Sequence, residues 1–147
     1  MIQRIQTLYL LVSVLLIGLL FVFPFAEIAK DGAVLIFNLK GILLEGAVIE
    51  SGIVILVLIT IILALQVFAI LNYKKRLLQI QLIKYSMLCL LGLFGMFFFI
   101  AYSVYTRDQT SFKIGHVFPL IAIILSYLAI RGIRKDEALI RSIDRIR

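Results

Sequence analysis

The distribution of charge along the chain constrains its fold more than any other feature of the sequence. Asp, Glu, Lys and Arg are absent from four long stretches, between Arg4 and Glu27, Glu50 and Lys74, Lys84 and Arg107, and Lys113 and Arg131. A helix of about 20 apolar residues crosses the hydrocarbon core of a bilayer, which is about 30 Å thick. The sequence therefore predicts four transmembrane helices, over Thr7–Phe25, Ser51–Leu71, Tyr85–Tyr105 and Val117–Ile130.

The overall composition also indicates a membrane protein. Of the 147 residues, 63% are apolar and 16% are charged, and the mean hydropathy is +1.15. Ordinary soluble domains are about 45–50% apolar, and a chain of this length cannot hide so much apolar surface from water. This excludes a soluble globular enzyme, a disordered chain and a disulfide scaffold. We expect one domain, residues 1–147, with an all-α fold built as a four-helix transmembrane bundle.

The lysine and arginine residues predict the orientation of this bundle. Most of the 15 lie at the N-terminus, in segment 72–84 and in segment 131–147, whereas loops 26–50 and 106–116 hold two each. Short loops rich in Lys and Arg stay in the cytoplasm. The first span is interpreted as a retained anchor, because the residues before Ala26 and Ala29 do not suit signal-peptide cleavage. We therefore expect a multi-pass protein of a bacterial inner membrane with both termini in the cytoplasm.

The first outer loop contains two apolar segments, Ala33–Leu39 and Ile42–Ile49, separated by Lys40-Gly41. Two short apolar runs around a glycine-containing turn are typical of a β-hairpin. The loop therefore predicts a small hairpin over the outer mouth of the bundle. An interfacial helix or an irregular cap is the alternative.

The inner loop and the C-terminal tail are the most charged parts of the chain. In the tail, Leu139, Ile143 and Ile146 recur at helical spacing, which predicts a cytoplasmic amphipathic helix. Such a helix lies on a membrane surface or docks on a protein, and cations beside a span contact anionic headgroups. Candidate partner or lipid contacts are Lys74, Lys75, Arg76, Lys84, Arg134, Lys135, Asp136, Glu137, Arg141, Asp144 and Arg145. Nucleic acid is not expected, because aromatic residues do not alternate with these cations.

Residues that carry chemistry inside membranes are absent from the four predicted spans. None of the spans contains Asp, Glu, Lys, Arg or His, the residues that usually mark proton or ion pathways. Gln66 is the candidate intramembrane polar contact, and an interhelical hydrogen bond is favoured over a pocket. Cys89 and His116 are each the only residue of their type, which makes a disulfide impossible within the chain and a metal site poor. The sequence predicts no catalytic, cofactor-binding or metal-binding residues.

Five segments resemble a family of small four-span proteins from Bacteroidota. They are Met1–Thr7, Phe23-Pro24, Asn72–Leu82, Phe118-Pro119-Leu120 and Arg134–Arg147. The family is a domain of unknown function. The resemblance implies an inner-membrane location and four helices, and it implies no activity, cofactor or functional residue.

Two hypotheses about function follow from these observations. In the first, the chain is a non-catalytic membrane scaffold or accessory subunit, and its basic loop and tail dock a membrane protein partner or a second copy. In the second, it forms a small oligomeric channel or transporter for an uncharged or weakly polar solute. A membrane enzyme is less favoured than either, since its catalytic side chains would have to come from the outer surface and not from the spans.

Overall fold

The computed structural model describes residues 3–30, 33–103 and 110–144. Over these residues the chain forms four α-helices and five β-strands. The helices are α1 (Gln3–Leu19), α2 (Ile53–Leu71), α3 (Arg76–Ser103) and α4 (Phe118–Asp144). The strands are β1 (Ala26–Lys30), β2 (Ala33–Asn38), β3 (Gly41–Leu44), β4 (Ala47–Ser51) and β5 (Thr110–Phe112). A short 3₁₀ helix, Ile114–Val117, leads into α4.

The prediction of an all-α fold is wrong, because the strands form one antiparallel sheet in the order β4-β3-β2-β1-β5. Four of its strands come from the first loop, and β5 from the second loop pairs with β1, setting Ala26 opposite Phe112. The expected hairpin covers only part of this sheet. Its second segment is divided into β3 and β4 at Glu45-Gly46, where both residues have positive φ. A pair of positive φ values is the backbone that tight hairpin turns require.

The sheet packs one of its faces on the ends of the helices. Along β2, Leu35 and Phe37 are buried while Val34 and Ile36 are exposed, as expected for a strand whose side chains alternate between two faces. The Phe25 ring stacks on Phe97 of α3 with centroids 4.4 Å apart. The inner face of the sheet and this end of the bundle thus share one hydrophobic core. We call this end of the molecule the sheet end.

Glycine at position 41 is required by the turn between β2 and β3. Its φ is +118°, and a Cβ placed there would lie 1.8 Å from the carbonyl oxygen of Glu50. Close by, the Gly52 N–H donates to the Lys40 carbonyl oxygen over 2.9 Å. The start of α2 is therefore tied to the β2–β3 turn.

The helices bury one stripe each and expose apolar residues elsewhere. On α2 the buried residues are Ile55, Ile59, Ile62, Gln66 and Ala69, which recur every three or four positions. The other faces of the same helix carry exposed Val54, Val57, Ile61 and Phe68. Three described helical segments are long and apolar enough to cross a membrane, Ile53–Leu71, Arg76–Ile100 and Ile114–Leu139, and a shorter apolar helix covers Ile5–Leu19.

The tail does not form a separate helix in this structure. α4 runs without a break from Phe118 to Asp144, so residues 131–144 continue the last apolar helix. Pro119 occupies its first turn, where a missing N–H breaks no helical hydrogen bond. A second hydrophobic core lies at the end of the bundle opposite the sheet. It joins residues of all four helices, namely Leu10, Ala69, Ile80, Ile83, Ala129, Ile130 and Ile133.

Candidate functional site

The candidate site lies at the end of the bundle opposite the sheet, where α2 ends, α3 begins and α4 continues. We call it the basic end and define it by Lys74, Lys75, Arg76, Arg134 and Lys135. The turn between α2 and α3 is short because Asn72 closes α2. Both its backbone N–H and its side-chain amide donate to the Phe68 carbonyl oxygen, over 3.0 and 2.8 Å.

The cations of the basic end differ in their exposure. Lys74 and Lys75 are exposed in the turn, and the Lys74 Nζ lies 6.0 Å from the centroid of the Tyr73 ring. Arg76 is half-buried at the start of α3. Arg134 and Lys135 are exposed on α4. The structure therefore brings the inner loop and the first part of the tail together as one positively charged surface.

Asp136 is the exception among the predicted contact residues. It is only 8% exposed, and its Oδ2 accepts a hydrogen bond from the side-chain amide of Gln6, which is 6% exposed. Gly132, one turn earlier on α4, makes room for this pair, since a Cβ there would lie 2.8 Å from the Gln6 Cγ. Asp136 thus joins α4 to α1 inside the protein and is not presented to a partner.

A shallow cleft of about 230 Å³ separates the start of α3 from α4 at the basic end. Its lining residues are Leu77, Arg134, Glu137 and Ala138. Leu77 is 64% exposed although it is a large apolar side chain beside several charges. An apolar wall with a guanidinium and a carboxylate at its edge is suited to receiving an apolar side chain from another molecule.

The remaining predicted contacts lie elsewhere. Lys84 is exposed on α3, and it is not among the residues that line the cleft. The side chains of Arg141 and Asp144, and all of Arg145, lie outside the described residues. That these three, and the other candidate residues, bind a partner or lipid stays a prediction.

A polar cluster lies inside the bundle around Gln66. The Gln66 Nε2 donates to the Ser13 Oγ over 2.9 Å and to the Ser126 Oγ over 3.4 Å, and all three residues are fully buried. Ser13 in turn donates to the Ala122 carbonyl oxygen over 3.4 Å. These bonds join α1, α2 and α4. The Gln66 Oε1 is buried without a hydrogen-bond partner among the described residues.

His116 lies in an aromatic environment that the sequence interpretation missed. Its ring centroid is 4.9 Å from those of Phe94 and Phe98 and 4.4 Å from that of Phe112. The residue is 8% exposed, and its Nδ1 has no partner among the described residues. The spacing of Phe94 and Phe98 was the available signal, because residues four apart share one face of a helix.

The described part of the chain holds no group of three or more His, Cys, Asp or Glu side chains that could bind a metal ion. The described carboxylates are dispersed. Glu27 pairs with Lys113 at the sheet end over 2.8 Å, and Asp136 bonds to Gln6 at the basic end.

Comparison with known proteins gives a family and no activity. No curated protein sequence is significantly similar to the chain. A family model does match, over residues 2–146, and its description is "Domain of unknown function (DUF4293)". Because this match extends over almost all of the 147 residues, the chain belongs to the DUF4293 family.

Proposed function

We propose that this protein is a non-catalytic scaffold or accessory subunit of a bacterial inner membrane, and that it docks a protein partner at its basic end. All four helices cross the membrane in this proposal, with both termini in the cytoplasm. The basic end then faces the cytoplasm and the sheet end faces outwards. The observation that carries the proposal is the cleft with exposed Leu77 among the cations of the basic end.

Membrane insertion explains the apolar surface of the helices. On α2, Val54 is 62% exposed and Phe68 is 58% exposed, at opposite ends of the helix. Such a surface is unfavourable in water and favourable in hydrocarbon. α1 is the shortest helix, but hydrogen-bonded turns continue from it to Phe23. The 17 residues of α1 and the turns that follow it together extend far enough to reach across a bilayer core of about 30 Å.

The cleft predicts the chemistry of the partner. Leu77 and Ala138 offer an apolar contact, and Arg134 and Glu137 line the same cleft. The exposed cations Lys74 and Lys75 lie in the turn just before α3, two and three residues from Leu77, so positive charge predominates at this end. Complementary charge guides association, and a buried apolar side chain supplies most of the affinity. We therefore expect an acidic protein segment that places one large apolar side chain in the cleft. Anionic headgroups would contact the same cations around it.

The contacts within the bundle guide the choice of variants for a test. Truncation after Ile133 would remove Asp136 and so break the contact with Gln6, which confuses loss of docking with loss of packing. Leu77→Ser changes only the cleft wall. Leu71→Ser is the matched control, because Leu71 is 67% exposed at the same end and does not line the cleft.

The experiment is mild-detergent copurification of tagged protein from its native membrane. We expect a stoichiometric partner with the natural protein and with Leu71→Ser, and at least a tenfold loss with Leu77→Ser, the factor for about 1.4 kcal/mol. Arg134→Gln is expected to weaken recovery more than Arg131→Gln, since Arg131 is exposed on the same helix away from the cleft. Equal recovery with Leu77→Ser and Leu71→Ser would contradict the proposal.

One observation supports the alternative of a small oligomeric channel or transporter. The Gln66 Oε1 is a buried acceptor without a described donor, and a weakly polar solute with a hydroxyl group could supply one. Flux of such a solute into liposomes tests this alternative. Loss of flux in Gln66→Leu, with protein level and fold unchanged, would favour a channel over a scaffold.

A further inference from the structure

A second surface feature lies at the sheet end, far from the basic end. It is an open groove of about 490 Å³ between the residues that follow α1, the strand β2 and the first turn of α2. Small-molecule sites in proteins have volumes of about 300–1,000 Å³, so the groove is large enough for a ligand.

The lining of the groove is mostly apolar. Phe21, Val22, Pro24, Ile36, Leu39 and Leu56 form its walls, together with Asn38 and Lys40. Several of these apolar residues are open to the surroundings, Val22 being 77% exposed and Phe21 52%. In a membrane protein, an open apolar surface near the end of a span lies at the boundary between acyl chains and headgroups.

Lys40 is the one charged residue among the lining residues that the structure describes. Its backbone is held firmly, because its N–H donates to the Asn38 Oδ1 over 2.8 Å and its carbonyl oxygen accepts from the Gly52 N–H. Its side chain is exposed and pairs with none of the described carboxylates. A fixed backbone with a free ammonium group places one positive charge at the side of an apolar groove.

We propose that this groove binds an anionic phospholipid of the outer leaflet, with one acyl chain along the apolar walls and the phosphate at Lys40. The combination of an apolar groove with one unpaired cation matches an anionic amphiphile in both parts. A zwitterionic lipid would bring an additional positive group towards Lys40. The inference rests on membrane insertion and is independent of docking at the basic end.

Native mass spectrometry of the purified protein tests the proposal. Phosphatidylglycerol and phosphatidylcholine with identical acyl chains serve as the two probes. We expect preferential binding of phosphatidylglycerol to the natural protein. Lys40→Gln should weaken this binding about fivefold, the factor for the roughly 1 kcal/mol that one cation contributes at an anionic surface. Lys40→Arg should keep it, because the positive charge is retained.

Lys113→Gln is the matched control for charge. Lys113 is also at the sheet end, but its Nζ pairs with Glu27 and it does not line the groove. This variant should bind phosphatidylglycerol as the natural protein does. Equal affinity of Lys40→Gln and Lys113→Gln, or no preference between the two lipids in the natural protein, would overturn the proposal.

The acyl-chain part of the proposal needs its own variants. Val22→Trp fills the groove from an exposed position, and Ile36→Trp fills it from β2. If one of these variants does not fold, the other still tests whether filling the groove blocks lipid binding. Each should lower the binding of both lipids. Unchanged lipid binding in the folded variants would overturn the proposal. It would also be overturned if the protein copurified with a lipid-modified protein and not with phospholipid.

Discussion

The contact between Gln6 and Asp136 gives the sharpest prediction about stability. The buried side chains of Gln6 and Asp136 join α1 to α4 at the basic end, and Gly132 lies against Gln6. Gln6→Leu leaves the carboxyl group of Asp136 without this donor. An unsatisfied buried acceptor costs about 1–3 kcal/mol, so we expect a loss of that size in the free energy of unfolding. Gln6→Leu combined with Asp136→Leu removes both partners and should cost less than the two single changes together.

The sign of the change in stability caused by Gly132→Ala tests the same contact. With Gln6 present, the new Cβ would lie 2.8 Å from the Gln6 Cγ and displace the side chain, which should destabilise the protein. With Gln6→Ala, that atom is gone, and alanine in a helix interior is favoured over glycine by about 1 kcal/mol. The same substitution should therefore destabilise the natural protein and stabilise the Gln6→Ala variant.

Unfolding in mixed detergent micelles, followed by far-ultraviolet circular dichroism, measures these differences; the chain has no tryptophan to serve as a fluorescent probe. Gln81→Leu is the control, because Gln81 is exposed on α3. Its free energy of unfolding should change by less than about 0.5 kcal/mol. Additive effects of Gln6→Leu and Asp136→Leu, or the same sign for Gly132→Ala in both backgrounds, would refute the reasoning.

Three further predictions concern the rest of the molecule. Gln66→Leu should change the free energy of unfolding by less than about 1.5 kcal/mol, because removing the unpaired Oε1 offsets the loss of interhelical hydrogen bonds of about 0.6 kcal/mol each. Gln66→Ala should cost about 2 kcal/mol or more, because it also opens a cavity. Thermal unfolding in detergent compares the two variants. Gly41→Ala should lower the melting temperature more than Gly46→Ala, since both glycines have positive φ but only Gly41 is crowded by backbone atoms. Glu27→Gln should reduce the free energy of unfolding by less than about 1 kcal/mol, because its pair with Lys113 is more than a third exposed, and a larger loss in denaturant titration would contradict this.

The helices could be found from the sequence, but their lengths could not. α2 covers almost the same residues as the predicted span, Ser51–Leu71. α3 begins at Arg76, well before the predicted Tyr85, and α4 continues past the predicted Ile130. A charge-free stretch marks where a helix can lie in hydrocarbon. It does not mark where the helix ends, because cations are tolerated once the helix has left the bilayer core.

The sheet was only partly predictable. The two apolar segments and the turn at Lys40-Gly41 are local signals, and they indicated a hairpin in the first loop. The alternation along β2 is visible only in the burial of its side chains, because residues 33–37 are all apolar. β5 has only three residues and pairs with a strand far away in the sequence, so no local pattern could reveal it. The all-α prediction was wrong because the loops hold a five-stranded sheet where only a two-stranded hairpin was expected.

The candidate site shows the same division between local and tertiary information. Its cations were recognised from composition, and the structure places Lys74, Lys75, Arg134 and Lys135 on the surface. The burial of Asp136 depends on Gln6, which lies on another helix. Gly132, four residues before Asp136, was the one available signal, since a glycine and a carboxylate on the same helix face indicate close approach of a neighbour.

Site-specific photocrosslinking in native membranes tests docking at the basic end most directly. A photoreactive amino acid is placed at position 77, in the cleft, and in a second strain at position 71, which is equally exposed outside the cleft. Docking at the basic end predicts a discrete crosslinked protein from position 77 and none from position 71. The same crosslinks from both positions, or crosslinks to lipid alone from position 77, would contradict it.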